Sequence, residues 1–350
     1  MSEQATDRPS QPERQEPERQ EPPSPNHQTR TRLYRHGVLV AEGFPVSEVS
    51  EHVSDPDAVV WADFCDPTPE DFRQIAEELQ LHDLAVEDAL KEHQRPKLDR
   101  YESHLFVTAY QVDLDVDSGR LDTHGVSAFV TGQALVTVHE SPTFAIDEVL
   151  RRWDGAADQT KSGVSFLLHG LLDHVVDGHF QTVSVLDTAI EGLEDLLFDD
   201  RPHDQEVQRR SFELRKSLVL LRRVVLPMRE VVNALMRRDL HIVDPGMLPY
   251  YQDVYDHVLR ATEWTESLRD LVTTILETNL TIQGNRMNNI MKKVTSWAAI
   301  IAVPTAITGF YGQNVPYPGF GQASGFWWSL TLTVVGSGLL FLAFKRRDWL

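Results

Sequence analysis

The sequence predicts an α+β cytosolic domain (an αβα layered sheet domain) followed by long helices. Two C-terminal transmembrane helices close the chain, the first continuous with a long stalk helix. Three observations carry this. Val294–Tyr311 and Phe326–Phe344 are uncharged apolar runs, each close to the roughly 20 residues a helix needs to cross a hydrocarbon core. Between Tyr250 and Tyr311 no turn signal interrupts the helical pattern, and the lone Gly284 fits inside a helix. Upstream, strand-like and helix-like stretches alternate, as layered domains require.

In order, residues 1–31 are Pro-, Glu-, Gln- and Arg-rich, with Pro-Glu-Arg-Gln-Glu at 12–16 repeated at 17–21. Such a segment cannot bury a core and reads as a disordered tail. Residues 32–161 form the sheet domain, with expected strands at Gly37–Ala41, Ala58–Asp63, Leu105–Val112, Gly125–Phe129 and Ala134–His139. Thr68-Pro69-Glu70-Asp71 opens a helix, with Thr as N-cap, Pro in the first turn and Asp completing the cap. A short helix follows near Asp83–Glu92.

Residues 162–246 are long cytosolic helices. Leu186, Ile190, Leu193 and Leu197 share one face, and Arg201-Pro202 ends that segment. A basic helix runs from Asp204 to about Leu240 with Pro227 inside it, and a turn at Asp244–Pro249 launches the next. Residues 247–293 are the stalk. Val254, Val258, Ala261, Thr265, Leu268, Val272 and Ile275 make a seam of bundle-like period. A helix from there to Tyr311 would be on the order of 90 Å long.

Residues 294–350 are the two-helix membrane hairpin. Lys292 and Lys293 precede the first run, and Lys345, Arg346 and Arg347 follow the second. Positive flanks stay on the cytoplasmic side, so both termini are expected inside a plasma membrane and the Gly- and Pro-rich loop outside. Trp327 and Trp328 fit an interfacial belt. With no apolar leader ahead of the sheet domain, the hairpin itself is expected to direct insertion.

One face of the long helix is peculiar. Glu277, Thr281, Gly284, Asn288, Met291, Thr295, Ala298, Ala302, Thr305, Gly309 and Gly312 follow each other at four- and three-residue steps, and only Met291 is large and apolar. Polar groups are costly against lipid, so this face suits helix packing or a water-filled pore. The other face, with Ile300, Ile301, Val303, Ile307 and Phe310, suits lipid. Two helices cannot enclose a pore, so a pore needs several copies.

The net charge of -20 falls mostly on the soluble part and favours cations over nucleic acid as partners. The mean hydropathy of -0.31 places most of the mass outside the bilayer. A single cysteine, Cys65, excludes an internal disulfide. No phosphate-binding glycine loop or zinc-hydrolase motif supports an enzyme. His174, Asp177 and His179 have the wrong helical spacing to share a metal.

Several stretches together resemble the CorA family of divalent-cation channels, from about residue 33 to the end. They are Val86-Glu87-Asp88 with His93-Gln94-Arg95-Pro96-Lys97; Asp173–Asp177; Leu221–Val231; Tyr251-Gln-Asp253-Val254-Tyr255-Asp256-His257; Asn285–Lys292; Pro304-Thr305; Gly309-Phe-Tyr311-Gly312-Gln313-Asn314; and the terminal Lys345–Leu350. The resemblance implies a homopentamer in the lipid bilayer, with Mg²⁺ both transported and regulatory, Co²⁺ and Ni²⁺ as further cargo, and no organic cofactor.

It places Gly312, Gln313 and Asn314 at the pore entrance and Thr305, Ala302, Ala298, Val294, Met291, Asn288 and Glu277 along the pore. Met291 and Val294 would form an apolar constriction able to close by dewetting. Glu87, Asp88, Asp253 and Asp256, with Asp173 as a lesser participant, would bind regulatory Mg²⁺ between subunits and hold the channel closed. One departure stands out: the family signature is Gly-Met-Asn, and here Gln313 takes the middle place. The alternative is a zinc transporter of the ZntB type on the same scaffold, proton-coupled. Against it, the stripe holds no His or Cys, the ligands Zn²⁺ prefers.

Overall fold

The structure is a computed structural model that describes residues 28–91, 95–115, 119–156, 160–199, 203–237, 242–313 and 316–350. The expected tail up to residue 27, His93-Gln94 and Arg201-Pro202 lie outside these. In chain order the elements are β1 (Gln28–Arg35), β2 (Val38–Glu42), α1 (Val49–Val53), β3 (Ala58–Cys65), α2 (Pro69–Glu78), α3 (Asp83–Ala89), β4 (Lys97–Arg100), β5 (Leu105–Asp115), β6 (Arg120–Val130) and β7 (Ala134–His139). Helices α4 (Ile146–Gly155), α5 (Val164–Leu197), α6 (Asp204–Leu235), α7 (Leu248–Tyr311) and α8 (Ala323–Arg346) complete the chain.

Packing divides the chain into two compact units. One holds the residues up to Asp113 with Leu121–Thr182 and Leu221–Thr262; the other holds Leu114–Arg120, Val183–Leu220 and Glu263–Leu350.

The first unit is built on a seven-stranded sheet of order β2-β1-β3-β7-β6-β5-β4. β3 and β7 pair in parallel at its centre, while β1 pairs antiparallel with β3 and β6 with β7. Alternation along β3 decides what each face meets. Val60, Ala62 and Phe64 join Phe106, Phe129, Val136 and Val138 in one core, closed by Phe72 and Ile75 of α2 and Ala85 of α3. Trp61 points the other way and meets Trp153 of α4 edge to face at 5.3 Å. Trp153 in turn lies so close to α5 that a Cβ on Gly170 would sit 2.5 Å from its indole nitrogen. The sheet is therefore sandwiched between helices.

The local signals read at Thr68 are realised. Its hydroxyl accepts from the Asp71 backbone N–H at 3.2 Å, and Asp71 accepts from the Thr68 N–H at 3.1 Å. Two strands were not expected. β1 starts at Gln28, inside the stretch read as tail, where Gln28, Thr29, Arg30 and Thr31 pair with Cys65, Phe64, Asp63 and Ala62 of β3. β4 is a four-residue polar strand at the edge.

The sheet buries a polar chain. Trp61 Nε1 donates to Thr137 Oγ1 at 3.1 Å, and Thr137 donates to Asp63. His139 donates from Nε2 to Asp63 at 3.2 Å and from Nδ1 to the Ser141 carbonyl at 2.9 Å. Burial alone would lower the pKa of His139, but the hydrogen bond and charge of Asp63 raise it. His179 on α5 is the opposite case: fully buried, with Nε2 donating 2.7 Å to the Tyr110 carbonyl, it is pushed down to about 4 by burial.

The second unit carries the long apolar helices. Among the described residues, α7 and α8 are long and apolar enough to cross a bilayer, and almost none of their apolar windows is buried in the protomer. The bundle seams are buried as their spacing predicts, at Leu186, Ile190 and Leu193 on α5 and at Leu268, Val272 and Ile275 on α7.

His179 stays neutral when folded but titrates near 6.5 when unfolded, so lowering the pH through 6.5 towards 4 removes stability, by about 3 kcal/mol at full effect. His179→Gln keeps a donor for Tyr110 and removes the titration. Thermal melts of the full chain should show a shallower acid limb in that variant than in the wild type.

Candidate functional site

In the second unit α7 presents two opposite faces. At about 100° per residue, Ser296, Ile300, Val303 and Ile307 fall on one side and Ala298, Ala302 and Thr305 on the other. Ser296 is buried and Ile300, Val303 and Ile307 are half-buried. This side meets α8, where Gly336 comes so close that a Cβ on it would lie 3.2 Å from Val303 Cγ1. Thr333, Gly336, Ser337 and Leu340 of α8 are half-buried at helical spacing, the small-residue packing familiar in membranes. The expectation that Ile300, Val303 and Ile307 face lipid is thus corrected: an apolar face satisfies lipid and a neighbouring helix alike, and composition does not separate them.

The stripe turns away from α8. Glu277, Thr281, Gly284, Asn288, Met291, Thr295, Ala298, Ala302, Thr305, Gly309 and Gly312 are all exposed in the protomer, as is Val294. Thr305 donates its hydroxyl proton to the Ile301 carbonyl at 3.0 Å, and Thr281 donates to Glu277 O at 2.9 Å. With the proton engaged by the helix, the oxygen lone pairs are left for the open face.

Pro304 lies within this segment and has no N–H for the ladder, while the Thr308 hydroxyl bonds Pro304 O at 2.8 Å and Thr305 O at 3.2 Å. Beyond Gly312 and Gln313, Asn314 lies outside the described residues. Further along the loop, the Tyr317 hydroxyl donates to the Tyr311 carbonyl at 3.1 Å.

The acids proposed as sensors sit in the first unit. Glu87 and Asp88 are on α3: Glu87 pairs with Lys91 one turn away, and Asp88 accepts from Lys97 at 2.6 Å. Burial opposes the charge on Lys97, but its hydrogen bonds to Asp88 and Asp99 prevail and raise its pKa. On α7, Asp253 Oδ2 is 4.0 Å from His257 Nε2, and Asp256 accepts from Gln252 at 3.2 Å. Asp173 on α5 is held by Arg152 of α4 at 2.5 Å.

Among the described residues no group of three or more His, Cys, Asp or Glu is placed to hold a metal ion within one protomer. His174, Asp177 and His179 do not converge: Asp177 is bound by Arg152, and His179 is fully buried under Tyr110. Arg152 was not singled out in the sequence. The i, i+4 spacing of Asp173 and Asp177 was visible there, but nothing local marks a partner on another helix.

Comparison with known proteins covers most of the chain. Residues 56–346 match the family described as CorA-like Mg2+ transporter protein. The cobalt/magnesium transport protein CorA of Thermotoga maritima is 30% identical over 280 residues, 79% of each chain. The zinc transport protein ZntB of Pectobacterium carotovorum is 25% identical over 259 residues, covering 73% of this chain and 77% of its own. Among solved structures, the complete CorA magnesium transporter from Methanocaldococcus jannaschii superposes with a TM-score of 0.73 at 22% identity, covering 91% of this chain and 98% of that one.

The close approach at Gly336 sets a test of the hairpin. Gly336→Leu should wedge α8 away from Val303 and destabilise the protein by about 1–3 kcal/mol, read as a lower unfolding midpoint in detergent. Gly338→Leu, where an added Cβ meets nothing within 4 Å, should change it little.

Proposed function

This chain belongs to the CorA-like Mg²⁺ transporter family, which makes it a membrane transporter of divalent cations and not an enzyme, and from that premise we propose that it is a potential-driven Mg²⁺ channel gated by cytosolic Mg²⁺. The observation that carries this is the α7 stripe: eleven successive positions, almost all small or polar, every one exposed and turned away from α8. Polar oxygen in hydrocarbon is costly, so copies of the chain gather with their stripes inward around water. We take the ring to hold five copies, as the family resemblance implies, with the basic flanks and both termini on the cytoplasmic side.

Mg²⁺ dehydrates reluctantly, so the pathway must pass it with water attached. Neutral oxygens suit this: the Asn314 carboxamide and the Thr305 lone pairs accept hydrogen bonds from the ion's waters without gripping the ion as a carboxylate ring would. Deeper in, Met291 and Val294 form the apolar neck and Asn288 and Glu277 the exit. A doubly charged ion falling through about 150 mV gains roughly 7 kcal/mol, so inward flux needs no nucleotide.

The sensor acids fit regulation across a subunit boundary. Glu87 and Asp88 lie on one helix and Asp253 and Asp256 on another; Glu87 pairs with Lys91, Asp88 with Lys97, Asp253 with His257 and Asp256 with Gln252. The exposed Glu87–Lys91 pair is worth a few tenths of a kcal/mol, so a divalent ion bridging two subunits displaces it readily. Loss of that ion leaves facing carboxylates that repel, and the ring opens.

Uptake into proteoliposomes with an imposed inside-negative potential tests this. Mg²⁺ uptake should follow the potential, ignore a pH gradient and fall at least tenfold in Asn314→Ala. Zn²⁺ uptake that requires a pH gradient, with little Mg²⁺ movement, would replace the magnesium reading with the zinc one. Single cysteines at positions 298, 302 and 305 should react with a membrane-impermeant thiol reagent while one at 303 does not; the reverse pattern would refute the pore face.

A further inference from the structure

Arg152 makes an arrangement that the transport reading does not use. From α4 it sends one arm to Asp173 Oδ2 at 2.5 Å and the other to Asp177 Oδ2 at 2.7 Å. The two aspartates stand one turn apart on α5, a like-charged i, i+4 pair that repels when left alone. In a transporter exposed to cytosolic divalent cations, such a pair is where a metal ion would be expected to bridge. The guanidinium holds that position instead. It is planar, permanently charged and able to serve two carboxylates at once. The three side chains are only 27–39% exposed, so water screens the contact less than it does an open surface pair.

The arrangement continues towards α7. Asp177 Oδ1 lies 3.9 Å from His257 Nδ1, and the other nitrogen of that ring lies 4.0 Å from Asp253 Oδ2. Asp253 itself is 68% exposed. The chain Arg152–Asp177–His257–Asp253 therefore leads from a carboxylate pair whose charge one guanidinium halves to an outward acid.

We propose that Arg152 is a built-in counter-ion that keeps Asp173 and Asp177 from binding divalent cations and leaves Asp253 as the acid of this face that answers to them. The consequence for gating rests on the channel reading above; the binding claim does not. The family resemblance counted Asp173 among the metal-binding acids, and the guanidinium removes it from that set.

Calorimetric titration of the full-length protein in detergent with Mg²⁺, and separately Mn²⁺, counts bound ions without any flux measurement. Arg152→Gln should bind one more ion per subunit than the wild type. Arg152→Lys should gain none, because the charge is kept, and the double variant Arg152→Gln, Asp177→Asn should return to the wild-type count. Asp173→Asn alone should leave the count unchanged, whereas Asp253→Asn should lower it. A folded Arg152→Gln protein with no added ion would overturn the proposal, as would loss of a bound ion in Asp173→Asn. If Arg152→Gln does not fold, Asp173→Asn and Asp177→Asn carry the test alone: an unchanged count in both supports the counter-ion, and a reduced count in either refutes it. Failure of flux with these counts intact would instead count against the channel reading.

Discussion

A hydrocarbon core offers no partner to a backbone N–H or carbonyl, and the second unit is organised by that fact. Only a helix pairs these groups within a single segment, so α7 has to remain helical across the bilayer and cannot loop around an ion. On the pore reading proposed above, the ion must then be served by whatever one face of an unbroken helix presents, which accounts for a stripe made almost entirely of small and oxygen-bearing side chains and not of a chelating cage. Pro304 is the place where the ladder is weakest, since it has no N–H to give. Threonine hydroxyls at 305 and 308 bond carbonyls of the same turns, at Ile301 and Pro304. On that reading, Thr305 offers oxygen to the ion while its proton binds the helix's own backbone.

A second constraint follows from the first. One protomer has a covered side on α7, against α8, and a bare one. The covered side is sealed by close approach at Gly336; the bare side is exposed among the described residues. A polar stripe is costly against lipid, so on the pore reading proposed above the surface of the protomer itself calls for association. The first unit shows the same logic in water. The acids of α3 and of α7 pair with basic or amide side chains, and on the sensor reading proposed above such a surface changes state when a doubly charged ion arrives.

What was legible in the sequence depended on whether the signal was local. The capping box at Thr68, the seam from Val254 to Ile275 and the uninterrupted run to Tyr311 are periodic or short-range, and the structure contains each of them. The missed elements depend on distant partners. β1 reads as polar because Arg32 is buried only where Glu42 and Asp154 meet it. α4 matters through Trp153, whose place against Trp61 and Gly170 joins three segments far apart in sequence. The stripe could be read as a pattern, but which side faces α8 could not, since Ile300 and Val303 look the same beside lipid as beside a helix.

The same distinction bears on which ion the pathway suits. Zn²⁺ is held by nitrogen and sulfur placed tetrahedrally, which takes side chains converging from several directions. On the pore reading, a stripe on one helix repeated around an axis instead yields stacked rings of identical donors, and here those donors are oxygens of threonine and asparagine with the Glu277 carboxylate at the inner end. Rings of that kind meet an ion through its water shell. They discriminate by whether the shell is kept, a property in which Mg²⁺ differs from softer cations. Gln313, in the place of the family's methionine, adds a further carboxamide beside Asn314 and so extends the same oxygen chemistry at the mouth. On this reading the substitution strengthens contact with a hydrated ion and adds none of the soft ligands a zinc site would need.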